Sequence, residues 1–342
     1  MVASGDHHHD SEYLSGHPLP GISQPVALGN EDSFAGADVQ GAQQAVASYV
    51  HIFSPRLLNE ARHGFNRFAV NYLPEGAAPG LNLGNSFGIP NSNTAPLQTA
   101  FPVVSPANYE GIGQSRLLPI IRYENTYQFV DNLTYTLGQH TLKFGEDYCR
   151  QITEYQTNQG NGRFNFSPNY TNLPGNSSGG DSMASFLLGL PTVVQQDFVL
   201  AYPGLRGCEN GLYLADDWRV TSRLTLNLGL RWEYFSPYSE VANRIANFNP
   251  ATAAMMIAGT TGVSDFANVQ PDWKDFAPRF GFAYQVRSHT VVRGGFGLFY
   301  NPNGNGGASL RLERTAPYGP VYLVTTGDLF PGQTFSQGLP TA

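Results

Sequence analysis

Apolar and polar residues alternate one by one along several stretches of this chain. The clearest runs from Leu224 to Phe235, where Leu224, Leu226, Leu228, Leu230, Trp232 and Tyr234 are separated by Thr225, Asn227, Gly229, Arg231 and Glu233. A period of two makes a strand with one apolar and one polar face. Gly211 to Val220 precedes it across Thr221, Ser222 and Arg223, and the two arms read as a hairpin. Pro278 to Val286 and Thr290 to Tyr300 form a second hairpin, and Tyr123 to Leu137 with His140 to Gln156 a third, turning at Gly138-Gln139. A weaker fourth joins Ala45 to Phe53 and Leu57 to Tyr72. The pattern therefore predicts about eight antiparallel strands in four hairpins.

Connection lengths alternate strictly. Turns inside hairpins are short, whereas the gaps between hairpins run from Leu73 to Arg122, Thr157 to Asn210 and Ser236 to Ala277. Those gaps are rich in Gly, Pro and Asn, which predicts irregular or mobile loops. Within the last of them the apolar patch Ala251 to Ala258 predicts a small helix. A compact soluble domain rarely needs such connections. An antiparallel transmembrane β-barrel uses them, with short periplasmic turns, long extracellular loops and strands of about ten residues with alternating faces. Tyr123, Trp218, Trp232, Tyr234, Tyr284 and Tyr300 fall toward strand ends, where interfacial aromatics belong. The fold class is thus all-β, a barrel segment of about eight strands from a larger barrel. Residues 1–44 read as a flexible lead-in, 45–300 as barrel hairpins with long loops, and 301–342 as a loop and the start of further barrel.

Composition agrees. The chain has 342 residues with 38 Gly and 24 Pro, and aromatics make up 13%, as much as all charged residues together. Charged residues average about 25% in soluble domains, so aromatic surface has replaced charged surface here. Net charge is −7 and no basic stripe exists, so nucleic acid is excluded as a partner. No apolar run is long enough for a helical span, and Met1 to Asp10 has no signal-peptide core. The missing signal fits either a cytosolic protein or a piece whose N-terminus lies upstream.

The polar face carries the candidate chemistry. Arg122, Glu124, Lys143, Asp147, Asp217, Arg219, Asn227, Arg231, Glu233, Arg279 and Arg293 all fall opposite the aromatics. In a barrel they would line a wet, charged lumen. Asp217 and Glu233, on neighbouring strands and one face, could stand close enough for glycoside hydrolysis, which needs carboxyls about 5 to 9 Å apart. Arg219 and Arg231, each two residues from one of them, favour ion pairing instead. A secreted β-sandwich binding carbohydrate through Tyr109, Phe164, Phe166 and Tyr170 is the other alternative. His7, His8 and His9 with Asp6 and Asp10 have metal-ligand chemistry, but neighbours along a flexible segment rarely converge on one ion. No nucleophile elbow, phosphate loop or His-Glu-x-x-His is present, so no cofactor, metal or catalytic residue is expected. Counting from the turns at about 3.3 Å per residue offsets Cys149 from Cys208 by roughly 13 Å, beyond a disulfide's reach unless the strands are staggered.

Val130 to Tyr148 (VDNLTYTLGQHTLKFGEDY), Gly211 to Pro237 (GLYLADDWRVTSRLTLNLGLRWEYFSP) and Ala277 to Tyr300 resemble TonB-dependent receptors, most of all the Oar-like subfamily; Ser54 to Arg67 and Ser185 to Pro191 follow its order. The resemblance spans about Val46 to Tyr300, and DDWRVTSRLTLNLGLRWE is its most specific part. It implies a 22-stranded outer-membrane barrel of a Gram-negative-type bacterium. It also implies a plug domain and TonB as partners through upstream segments, outer-membrane lipid around the wall, and energised uptake of an unknown solute. No plug is recognisable and the chain ends at Leu339-Pro340-Thr341-Ala342, so the expectation is an internal fragment of a longer protein.

Overall fold

In the computed structural model, residues 36–74, 82–94, 100–115, 118–157, 161–173, 175, 178–198, 202–301, 309–325 and 332–341 are described. The expected His7 to His9 cluster lies outside them.

Eight long strands form one antiparallel sheet: β1 (Gly36–Ser54), β2 (Leu57–Pro74), β3 (Ile120–Leu137), β4 (His140–Thr157), β5 (Gly204–Arg219), β6 (Leu224–Phe235), β7 (Asp275–Arg287) and β8 (Thr290–Gly297). Each pairs with the next in chain order, the all-neighbour topology of an up-and-down barrel wall. All eight predicted arms are present. Several run further: β1 begins at Gly36, upstream of Ala45, and β5 at Gly204, upstream of Gly211. These extensions have broken alternation, so the pattern understates them. A barrel strand needs about ten residues to cross the membrane. β1 to β5 exceed that and project beyond it on the long-loop side. No helix among the described residues is long and apolar enough to cross a membrane.

The sheet's two faces differ as expected. Leu224 through Tyr234 in even positions share a face with Phe276, Phe280, Phe282 and Tyr284 of β7 and Leu212, Leu214 and Trp218 of β5. None of these side chains is buried; Leu214 is 55% and Phe280 46% exposed, and Leu224, Leu226 and Phe282 are half-buried. Large apolar groups held open to the surroundings along a whole sheet are explained by contact with hydrocarbon. The belt has two aromatic edges. Tyr284 pairs with Leu224 near the short turns. Near the long loops Trp232, Tyr234 and Trp273 stack, with Tyr234 and Trp273 centroids 3.9 Å apart. Ten positions of strand tilted by about 40° separate these edges by roughly 25 Å, the height of a barrel's apolar band. The belt is not uniform: Asp131 and Glu146 oppose each other across β3 and β4, and amides from Asn59 (2.6 Å) and Asn210 (3.2 Å) satisfy them.

The long connections correct the expectation of irregular loops. Four short strands, from two of these gaps and from the stretch after β8, form a second sheet, in the order Val321–Thr325, Val193–Asp197, Arg163–Phe166, Val103–Pro106. Leu83, Ile89, Phe101, Val104, Phe164, Phe166, Val194 and Leu339 pack beneath it as a true hydrophobic core. Helix Ser182–Leu187, capped by Asp181 accepting from Met183 N (2.7 Å), brings Phe186 onto that core. The expected helix at Ala251 to Ala258 is instead one arm of a hairpin, Ala254–Ile257 paired with Ala246–Asn249. Asn249-Pro250 favours a turn, and the edge of a neighbouring strand offers the backbone partners that four residues of helix could not supply.

Because segments of two gaps and of the stretch after β8 share one sheet, and Leu312 of that stretch packs with Ile245, Ala258 and Ala267 of the third gap, all of them lie at one end of the barrel strands. An epitope tag inserted after Ser264 should be reachable on intact cells, whereas one after Ser222 should react only once the outer membrane is opened. Surface labelling of both inserts checks this, and the reverse pattern would overturn the topology.

Candidate functional site: the polar face

The pairing register puts all eleven predicted residues on one face. Arg122 and Glu124 of β3 continue into Lys143 and Asp147 of β4, Asp217 and Arg219 of β5, Asn227, Arg231 and Glu233 of β6, Arg279 of β7 and Arg293 of β8. Many of these charges are neutralised across strands. Asp217 accepts from Lys143 Nζ (2.8 Å) and Asn227 Nδ2 (2.6 Å), so its cation is Lys143 on the next strand rather than the expected Arg219. Arg231 Nε donates to Glu233 Oε1 at 2.8 Å, and its Nη2 reaches Asp147 Oδ2 at 3.9 Å. Asp147 also accepts from Gln128 (2.9 Å), while Arg122 approaches Glu124 at 3.5 Å. Arg219 and Arg293 have no ion pair among the described residues, and Arg279 lies over the Phe299 ring, 4.7 Å from its centroid.

Two glycines make this packing feasible. A Cβ at Gly145 would come within 2.5 Å of Tyr213 Cε1, and one at Gly211 would collide with the Arg231 guanidinium. Both side chains therefore lie flat across a neighbouring strand, and Tyr213 Oη donates to Asn132 Oδ1 at 2.6 Å. Asp147, Cys149, Glu209, Arg231, Glu233 and Tyr300 surround a cavity of about 240 Å³ on this face. Glu209, Tyr213 and Gln151 escaped the sequence reading, although continuing the same alternation upstream of Gly211 reaches Glu209. Among the described residues no group of three or more metal-ligating side chains occurs.

The catalytic alternative fails on register. Asp217 pairs with Asn227 and Glu233 with Gly211, so six residues of strand, roughly 20 Å, separate carboxylates that would have to lie about 5 to 9 Å apart. The carbohydrate-binding sandwich gives way to the barrel-wall sheet, and two of its four aromatics are core residues: Phe164 and Phe166 are 0% and 1% exposed, while Tyr109 is tied to Asp181 at 2.7 Å. Cys149 and Cys208 are both free, but not for the reason of distance. The turn after β5 lies lower than the turn before β4, and Trp218 pairs with His140. That stagger brings the cysteines to adjacent positions, Cys149 facing Glu209 and Arg150 facing Cys208, but on opposite faces of the sheet.

One carboxylate beyond the end of β6 locks a corner of the site. Glu240, 3% exposed, accepts from Gly204 N (2.9 Å), Ala242 N (2.7 Å), Arg244 N (2.8 Å) and Arg244 Nη2 (2.8 Å). Burial alone would raise its pKa; the four donors outweigh it and hold the group at about 2 instead of 4.5. A lowered folded-state value stabilises the corner above the ordinary carboxylate pKa, and that stabilisation is lost as pH falls from about 4.5 toward about 2. The protection of the Gly204, Ala242 and Arg244 amides, relative to their intrinsic exchange rates, should fall over that window, and Glu240→Gln should remove that pH dependence.

Residues 7–342, nearly the whole chain, match the family described as Outer membrane beta barrel domain. The chain belongs to that family. No curated protein matches it. Among solved structures it is similar to the receptor FpvA of P. aeruginosa bound to a heterologous ferric pyoverdine, at 13% identity over 78% of this chain and 36% of that one, with a TM-score of 0.32. The copper transporter OprC matches at 12% identity over 80% and 39%, TM-score 0.33. The outer membrane transporter YddB from Escherichia coli matches at 10% over 76% and 40%, TM-score 0.26. The chain thus spans well under half the length of these proteins. This outer membrane β-barrel chain resides in the outer membrane.

Proposed function

We propose that this chain forms part of the barrel wall of a TonB-dependent, Oar-like receptor that takes up a solute by energised transport. Its polar face would line the path, with Arg122, Glu124, Lys143, Asp147, Asp217, Arg219, Asn227, Arg231, Glu233, Arg279 and Arg293 facing a plug domain or the solute. The division into lead-in 1–44, hairpins 45–300 and loop with further barrel 301–342 belongs to the same reading, with the first hairpin starting at Gly36 rather than Ala45. The observation that carries it is the ladder of cross-strand ion pairs and hydrogen bonds on the face opposite the aromatic belt. A merely solvated surface gains little from ordering so many side chains, whereas a lumen wall needs fixed, satisfied polar groups. The packed loop core at the extracellular end supports it further, since it supplies a rigid surface where a solute first arrives. The proposal assigns the chain no catalysis.

The test has two arms in the gene's natural host. Cysteines placed at Asn227 and Arg231 should react with a charged, membrane-impermeant maleimide, and cysteines at Leu228 and Leu230 should not. Deleting TonB should abolish growth on any solute whose use requires this gene. Labelling of Leu228 in preference to Asn227 would refute the lining, and growth independent of TonB would refute the energised step.

A further inference from the structure

Four arginines stand on the aromatic face at its extracellular side, away from the polar lining. Arg67 lies ten residues after the start of β2, Arg150 ten after the start of β4 and Tyr234 ten after the start of β6. By register Arg150 pairs with Cys208, two positions beyond the Asn210–Tyr234 pair on the long-loop side, so the two arginines sit just above the Trp232–Tyr234–Trp273 stack, where hydrocarbon gives way to headgroups. The register continues the cluster upward: Arg67 pairs with Asn125, Asn125 with Ile152 and Ile152 with Arg206. Above that row a cavity of about 250 Å³ is lined by Ile121, Tyr123, Glu154, Tyr202, Val241 and Arg244. Arg67 lies over the Tyr123 ring, 5.3 Å from its centroid, at the cavity's edge.

Positive charge is in surplus here. Arg206 pairs with Glu154 at 3.2 Å and Arg244 with Glu240 at 2.8 Å. Arg67 Nη1 donates only to the neutral Asn125 Oδ1 at 3.1 Å. Arg150 has no side-chain partner among the described residues. Two uncompensated guanidiniums beside the aromatic pair Phe65–Tyr127, at the membrane interface, are an arrangement that a phosphate satisfies by charge-assisted, forked hydrogen bonds.

The geometry points to a binding site for the phosphate-bearing headgroup of an outer-leaflet lipid. Arg67 and Arg150 hold the phosphate, Arg206 and Arg244 lend positive potential from above, and the acyl chains descend over Phe65 and Tyr127. A soluble anion is not the occupant, because these cations lie on the face turned to lipid and not on the face turned to the lumen. The site depends on that face assignment and on nothing in the transport reading.

Native mass spectrometry of the detergent-extracted full chain tests it, using micelles doped with a bisphosphorylated glycolipid or with the same glycolipid dephosphorylated. The phosphorylated form should be retained at least about tenfold more, the size expected for losing a single charged hydrogen bond. The double variant Arg67→Gln, Arg150→Gln should lose that preference. Arg279→Gln, Arg293→Gln, which removes the same charge from the other face, should keep it. Equal retention of the two lipids, equal loss in both double variants, or displacement by inorganic phosphate at the lipid's concentration would each overturn the site. If the first variant does not fold, the lipid comparison on the unaltered chain decides alone. Failure of TonB-dependent growth would leave every one of these readouts unchanged.

Discussion

Leu228→Lys is expected to destabilise the folded barrel by about 2 to 4 kcal/mol, and Asn227→Lys by far less, although the two positions are adjacent. Leu228 pairs with Phe280 on one side and Asp216 on the other, in the middle of the aromatic belt, and its side chain is directed at hydrocarbon. A lysine there would have to carry its ammonium into lipid, because the opposing Asp216 carboxylate is already held by His140 Nδ1 at 2.7 Å, or snorkel along a strand far from either edge. Asn227 already donates to Asp217 Oδ1, so a lysine at that site would find a carboxylate within reach. Urea titration of the full-length protein folded into vesicles measures both, with heat-modifiable gel mobility reporting the barrel. Equal midpoints for the two variants would sink the assignment of faces.

The second large effect belongs to the loop core. Phe166→Ala should cost about 3 to 5 kcal/mol, because the ring is 1% exposed and packs edge-on against Phe186 at 5.2 Å, so removal leaves a cavity the short strands cannot close. The loss should be local. Proteolysis on intact cells should cut within 82–118 and 161–197, while β1 to β8 stay protected by their pairing and by lipid. Tyr109→Ala, at a 46% exposed position, should change cleavage little. If Phe166→Ala left the loops as resistant as before, the packed core would be wrong and the older expectation of mobile connections would return.

The strands were legible because both of their causes are local. A period of two shows directly in Leu224 to Phe235, and the turn joining each hairpin lies within a few residues of it, so pairing partners are neighbours in the chain. For the same reason the eleven polar-face residues could be named together: parity within each arm, carried across a short turn, decides the face. Loop length then pointed to a barrel without any long-range contact being known.

What the chain alone could not settle was how far one hairpin slides against the next. Across a long connection the stagger is set by side-chain packing and backbone pairing, not by counting. That stagger places Cys149 beside Cys208 yet on the opposite face. The loop core was hidden for a related reason. Val103–Pro106, Arg163–Phe166 and Val193–Asp197 are too short to show a period, and each buries its apolar side against segments distant along the chain. Arg67, Arg150, Arg206 and Arg244 likewise look unremarkable in their own segments. So alternation, a property of single strands, determined the barrel and its faces, while everything depending on contact between distant segments waited for the tertiary structure.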